Sequence, residues 1–448
     1  MAELTAPATV AAPPRDSVIR RALAHPLASY HLVLASGGAL VCFGLVMVAS
    51  AASVFSQVST GDPYYYGKKQ ILFAVLGVGL AFVASRLGPR LLRGLAWPSL
   101  VLALVLVILT YTPLGVEVNG NRNWLRVGPA WAQFQPSEFA KLALVLWGAQ
   151  HLAKKQHLLR DLRQWLSYIA VSLVLIALVL LHDMGSAVVM TLMLLAILFL
   201  AGAPLRLIAA IMASGAAAMV ALVYLQSNRM GRIIAWLKPS QYELSFNFQA
   251  NHGLYALASG GFWGLGLGAS QQKWGGLMST GYTDYILAIL GEELGLAGTL
   301  TVLALFVVLA YAGVRVASRA GDAGTRLIAT GVTCWFVLQA LVNIAVVFRW
   351  LPVLGVTLPL VSYGGSSLLA TMVALGLLLG AARREPVAQV LGQAPPAPPA
   401  RVLAIVSGGL DEVTREVPRP EATGRRWGAS GRGAALSGRG AGAAGTPA

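Results

Sequence analysis

The sequence predicts an all-α integral membrane protein of about ten transmembrane helices, with a large outer loop between the seventh and eighth. Composition, a recurring run length and the sidedness of charge carry that expectation. Of the 448 residues, 57% are hydrophobic and 11% charged, and the mean hydropathy is +0.70, whereas a soluble domain carries about 25% charged residues. Apolar runs of roughly 17–25 residues, the length that crosses hydrocarbon, recur along the chain. They fall near 31–54, 70–87, 91–111, 137–153, 165–181, 185–201, 205–225, 285–313, 326–348 and 366–382. The first run is too long for a signal-peptide core and reads as a signal anchor.

Charge sets the orientation. With the N-terminus inside, Arg20, Arg21, Arg86, Arg90, Arg93, Lys154, Lys155, Arg315, Arg319, Arg383 and Arg384 lie on the cytoplasmic side, as the positive-inside rule requires. Asp62, Glu117, Glu138, Asp183, Glu243, Asp284, Glu292 and Glu293 lie on or toward the outer side. The net charge of +16 suits cationic loops beside anionic lipid, and no basic-aromatic module points to nucleic acid. Cys42 and Cys334 sit in separate apolar runs, so neither a disulfide nor a metal centre is expected from them.

The Ala/Pro-rich residues 1–28 are expected to form a disordered cytoplasmic N-terminus, 29–384 the membrane domain, and 385–448 a disordered basic cytoplasmic tail. Two outer connections are long, 112–136 and 226–284. The second holds Trp236, Phe246, Phe248, Tyr255, Phe262, Trp263 and Trp274, too many aromatic residues for a disordered loop. Short amphipathic or re-entrant helices are expected there.

Acidic residues beside apolar runs mark candidate sites, because a charged side chain at a helix centre costs about 2.5–3.5 kcal/mol on insertion scales. Pro136 and Ser137 suit a helix start, with Glu138 in its first turn and Lys141 one turn on. Those two residues could form a structural ion pair, or Lys141 with Arg122 could supply cations for a phosphate-bearing ligand. Asp183, between two runs, is equally a helix cap or a cavity residue. Asp284 opens the eighth run, where a cap is the simpler role. A cap does not explain Glu292 and Glu293 two turns deeper, roughly 12–13 Å along the helix. Before the last run, Ser362 and Ser366 in a Gly-rich segment place hydroxyls at a helix start, a plausible anion or sugar contact.

Together these motifs give the chain a resemblance to the SEDS (shape, elongation, division and sporulation) family of FtsW/RodA type. The resemblance covers about 31–382 and rests on NGNRNW at 119–124, QPSEFAK at 135–141, DMGSA at 183–187, GLGLGASQQKW at 264–274, TDYILAILGEELG at 283–295 and LPLVSYGGSS at 358–367. The wording of the first and fourth looks more like the division type than the elongation type. The chain departs from the family at Leu277–Tyr282, Phe348–Trp350 and Leu354.

The resemblance implies a ten-span peptidoglycan glycosyltransferase that polymerises lipid II on the outer face of the cytoplasmic membrane, at the division septum. It implies a class B penicillin-binding protein, a transpeptidase, and other divisome proteins as partners. Asp284 matches the family's essential acid, and Arg122, Glu138, Lys141 and Asp183 match polar positions of its central cavity. The chemistry fits these residue types. Transfer from a lipid pyrophosphate needs a base for the acceptor hydroxyl, assigned to Asp284. It also needs positive charge at the leaving group, assigned to Arg122 and Lys141 with a divalent cation such as Mg or Mn. The rival readings are a lipid II flippase, an ion-coupled transporter and a non-catalytic division scaffold.

Overall fold

The protein is described from a computed structural model covering residues 27–118, 121–126, 133–154, 162–225, 227–238 and 247–385. The two expected disordered tails lie outside these residues, apart from Leu27, Ala28 and Glu385. The first four helices are α1 (Ala28–Ala51), the short α2 (Ser53–Thr60), α3 (Tyr65–Arg86) and α4 (Pro89–Leu109). α4 begins with Pro89 at its first position, where the missing N–H has no helical partner to lose.

The connection that follows is not the plain loop expected from sequence. It holds β1 (Gly115–Val118), β2 (Asn121–Arg126) and β3 (Gln133–Phe134), paired antiparallel in the order β1-β2-β3, with Val116 opposite Trp124 and Leu125 opposite Phe134. Four helices come next: α5 (Pro136–Lys154), α6 (Leu162–His182), α7 (Met184–Leu200) and α8 (Leu205–Leu225). The long outer segment contains α9 (Ser227–Leu237), α10 (Phe248–Ser259) and a turn of 3-10 helix at Gln272–Trp274, in line with the expected short helices. The chain closes with α11 (Ile286–Arg319), α12 (Ala323–Val347) and α13 (Gly365–Arg383).

Each of the ten expected spans overlaps one of these long helices. Among the described residues, α1, α3, α4, α6, α8, α11, α12 and α13 are long and apolar enough to cross a membrane, and α7 is a shorter apolar helix. α5 is set apart by composition, because it buries Ser137, Glu138, Lys141 and Gln150 among its apolar residues. Outward faces such as Ile71, Val75, Val78 and Phe82 of α3 are exposed hydrophobics, as expected where lipid is the solvent.

The centre is built from α12 and α13, which bury Trp335, Phe336, Gln339, Asn343, Leu375 and Leu378. α13 meets α3 along a line of small residues. A Cβ on Gly376 would collide with the Ala81 backbone, and one on Gly380 would lie 2.8 Å from Ser85 O. Such four-residue spacing of glycines lets helix backbones approach where burial alone gives no drive in lipid.

α11 is broken. Gly295 adopts φ 67°, ψ −165° inside it, a left-handed φ that favours glycine. The preceding loop repairs the interrupted ladder. Leu265 and Gly266 donate their N–H groups to Glu292 O and Glu293 O at 2.9 and 3.0 Å, and Leu296 and Ala297 donate to Gly261 O and Phe262 O at 2.9 and 3.1 Å.

Candidate functional site

A cavity of about 1100 Å³ is lined by α3, the β2–β3 region, α7, α9, the segment 279–284 and the loop 352–367. Among the described residues, Asp284 and Asp183 are the acids on its wall, and Lys69, Arg229 and Arg232 are its cations. Tyr66, Tyr282 and Tyr363 also line it and pack together with ring centroids 5.2–5.5 Å apart.

Asp284 is half-buried and precedes α11 without capping it, since Tyr285 is the N-cap residue and makes no side-chain cap bond. Its carboxylate has no hydrogen-bond partner among the described residues, while its backbone carbonyl accepts from Asn343. Burial, with the Asp183 charge adding and Arg232 opposing, pushes its pKa up to about 6. Gly355 lies beside it with φ +68°, a left-handed backbone that favours glycine, and a Cβ there would sit in ordinary contact 3.6 Å from Asp284 Oδ2.

Asp183 is both of the things its position allowed. It caps α7 by accepting from Ser186 N at 3.0 Å, and it accepts from Gln135 Nε2 at 2.6 Å and Ser137 Oγ at 2.7 Å. It also reaches the cavity wall. Ser366 lines the cavity and accepts from Gln135 N at 3.2 Å. Ser362 lies behind the wall. It accepts from Leu358 N at 2.8 Å and donates to Thr283 O at 2.6 Å, latching the 358–367 segment to the residue before Asp284.

The two cations assigned from sequence are engaged elsewhere. Arg122 donates to Thr112 O at 2.8 Å and Gly115 O at 3.1 Å, bracing the entry to β1. Lys141 is 1% exposed and pairs with Glu138 Oε1 at 2.8 Å and Gln339 Oε1 at 2.7 Å. Gln339 also accepts from Trp335 Nε1 and donates to Thr357 O. Arg122, Glu138, Lys141 and Ser362 are therefore not on the cavity wall. In Lys141 and Glu138 the geometry favours the structural pair, because a buried ammonium must be matched on the spot.

Glu292 and Glu293, which from sequence pointed to a site, organise the loop instead. Glu292 accepts from Ser270 Oγ at 2.5 Å and Gln271 N at 2.9 Å. Glu293 accepts from Ser50 Oγ at 2.6 Å and from Lys273 Nζ at 3.1 Å. Sequence reasoning missed Lys69, Arg229, Arg232 and Asn343. The signal for the two arginines was their three-residue spacing in a segment read as loop; on α9 it puts them on one face.

The FtsW/RodA/SpoVE family, described as cell cycle protein, matches residues 30–386. The chain is 37% identical over 404 residues to the probable peptidoglycan glycosyltransferase FtsW of Mycobacterium tuberculosis, covering 89% of this chain and 74% of that one. It is 39% identical over 360 residues to the protein so described from Trichlorobacter lovleyi, covering 79% and 93%. Among solved structures, a chain of a peptidoglycan synthase complex that coordinates polymerization and crosslinking aligns with a TM-score of 0.64 at 29% identity, over 79% of this chain and 97% of that chain. The rod shape determining protein RodA of Thermus thermophilus aligns with a TM-score of 0.57 at 29% identity, over 79% and 96%.

Proposed function

Because the chain belongs to the FtsW/RodA/SpoVE family, we propose that it is a membrane-integral peptidoglycan glycosyltransferase that polymerises lipid II on the outer face of the cytoplasmic membrane, in cell division. The observation that carries the reading is Asp284, a carboxylate with no hydrogen-bond partner among the described residues, facing a cation-lined cavity large enough for sugars. Asp284 takes the proton of the acceptor sugar hydroxyl as that oxygen attacks the anomeric carbon of the donor. The glycosidic bond forms, the bond to the donor diphosphate breaks, and polyprenyl diphosphate departs. A positioned base of this kind contributes about 10²–10⁴-fold.

Asp183 tunes Asp284 through its charge and fixes the cavity wall through its three hydrogen bonds. Asp183 and Asp284 are the residues that would hold a divalent cation such as Mg or Mn, since Mg²⁺ sites commonly use one or two carboxylates together with substrate phosphates and water. When bound it would neutralise phosphate charge.

The relative found in a peptidoglycan synthase complex supports pairing with a crosslinking enzyme, a class B penicillin-binding protein, among other divisome proteins at the septum. The test is to incubate the purified protein and its transpeptidase partner with labelled lipid II and resolve glycan chains on a gel. Wild type is expected to make chains and Asp284→Asn none. Lipid movement without new glycosidic bonds would replace the polymerase by a transporter.

A further inference from the structure

We infer that Lys69, Arg229 and Arg232 form a binding site for the diphosphate of a polyprenyl-linked sugar, with α9 as its cationic floor. The inference rests on the glycosyltransferase reading and moves the leaving-group site away from Arg122 and Lys141. All three side chains line the cavity that holds Asp284, and among the described residues none of them is in a salt bridge. Arg229 donates to Leu180 O at 3.1 Å and Leu181 O at 2.7 Å at the end of α6, which fixes the guanidinium and leaves further N–H groups uncommitted. Arg232 makes one long bond, 3.4 Å to Val353 O. The Lys69 ammonium lies 4.5 Å from the Tyr65 ring centroid and hydrogen-bonds to no described residue.

The arrangement is costly without an anion. Arg229 is 6% exposed, and burial and the neighbouring Arg232 charge both pull its pKa down, with Asp183 only partly offsetting them. Two guanidiniums one turn apart, with a lysine from α3 on the same wall, suit a ligand with two adjacent phosphates. Guanidinium forks match phosphate oxygens bidentately. When the anomeric bond breaks, the departing diphosphate gains one negative charge, so these cations bind the transition state more tightly than the ground state. Asp284 on the same wall then receives the proton as that charge develops.

The test uses the full chain with its transpeptidase partner in nanodiscs, with farnesyl diphosphate, farnesyl monophosphate and inorganic pyrophosphate as probes. Arg232→Gln and Lys69→Met are expected to weaken farnesyl diphosphate about tenfold each, the scale of a charge-assisted contact. Farnesyl monophosphate should weaken less, and inorganic pyrophosphate should lose affinity in parallel with the farnesyl diphosphate. In the chain-forming assay both variants should lower kcat more than they raise KM, and Arg232→Lys should recover most of the loss.

Diphosphate binding unchanged in both Arg232→Gln and Lys69→Met would overturn the site. Equal weakening of the monophosphate would overturn its diphosphate assignment. Because the Lys69 ammonium bonds no described residue, Lys69→Met decides the matter should Arg232→Gln fail to fold. Asp284→Asn separates the two readings: with divalent cations chelated it should bind farnesyl diphosphate at least as tightly as wild type, since one acid leaves the wall, while making no chains under any condition. Chains made by Asp284→Asn would sink the base, not the diphosphate site.

Discussion

Asn343 holds Asp284 by its backbone. A single side-chain amide on α12 donates to Asp284 O and to Val356 O, 2.7 Å in each case. The carboxylate itself is left uncommitted, while the main chain that carries it is tied to the helix at the centre of the fold and to the loop beside Gly355.

Asn343→Leu should therefore lower kcat with little change in KM, since it frees the base from its attack geometry without touching substrate. It leaves two carbonyls without their donor, about 1–3 kcal/mol for each buried unsatisfied group, so thermal stability should fall as well. Asn343→Asp should do no better, because an ionised carboxylate cannot donate. Initial rates at varied lipid II, beside a melting curve, check both.

Asp284 should set an acid limb in the pH–rate profile. Its pKa is raised to about 6 and the base must be deprotonated, so activity is full above that value and is lost as pH falls through it, about tenfold per unit. Asp183 is one of the charges that raise the pKa. Asp183→Asn should shift the limb to lower pH while keeping the α7 cap, because Asn accepts from the Ser186 N–H as Asp does. A limb that stays put in that variant would detach the two carboxylates.

Lys141→Met should act on stability more than on affinity. Both partners of the Lys141–Glu138 pair are almost wholly buried, and removing one leaves the other charge unmatched, about 3–5 kcal/mol. The double variant Glu138→Leu with Lys141→Met should recover much of that loss, since an apolar pair of similar volume is often neutral. Chemical denaturation of the three variants in detergent reads the difference.

Sidedness is open to direct labelling. In a cysteine-free background, a cysteine at Gln271 should react with an impermeant maleimide from outside, and one at Ala323 should not. The reverse pattern would place the cavity on the cytoplasmic side.

Run length was enough to locate the long helices, because the thickness of the hydrocarbon layer is imposed on the sequence directly. The three-stranded sheet was missed although part of its signal is local: Val118 pairs with Asn121, and the sequence between them is Asn-Gly, a dipeptide that favours a two-residue hairpin; the strands themselves are too short to show an alternating pattern. Asp284 and Asp183 were found through their surroundings, but Arg229 and Arg232 were not: their three-residue spacing marks one face of a helix, and it does not say which cavity that face will meet. Glu292 and Glu293 misled for a physical reason. The cost of burying a carboxylate is met equally well by Ser50, Ser270 and Lys273 as by a substrate, and the sequence states only the cost.

The interruption at Gly295 gives α11 a mechanical character that an unbroken rod would lack. The stretch from Ile286 to Leu294 is a short arm with Asp284 just before it, and the 260–266 loop is stitched across its root by backbone bonds. The loop and the segment leading back to Asp284 are thus one bonded unit, so the position of the loop and that of Asp284 are set together. Gly295→Ala would break that unit, since its Cβ would run into Gly264 N and sit 2.5 Å from Phe262 O, forcing the loop off the helix and uncoupling it from Asp284.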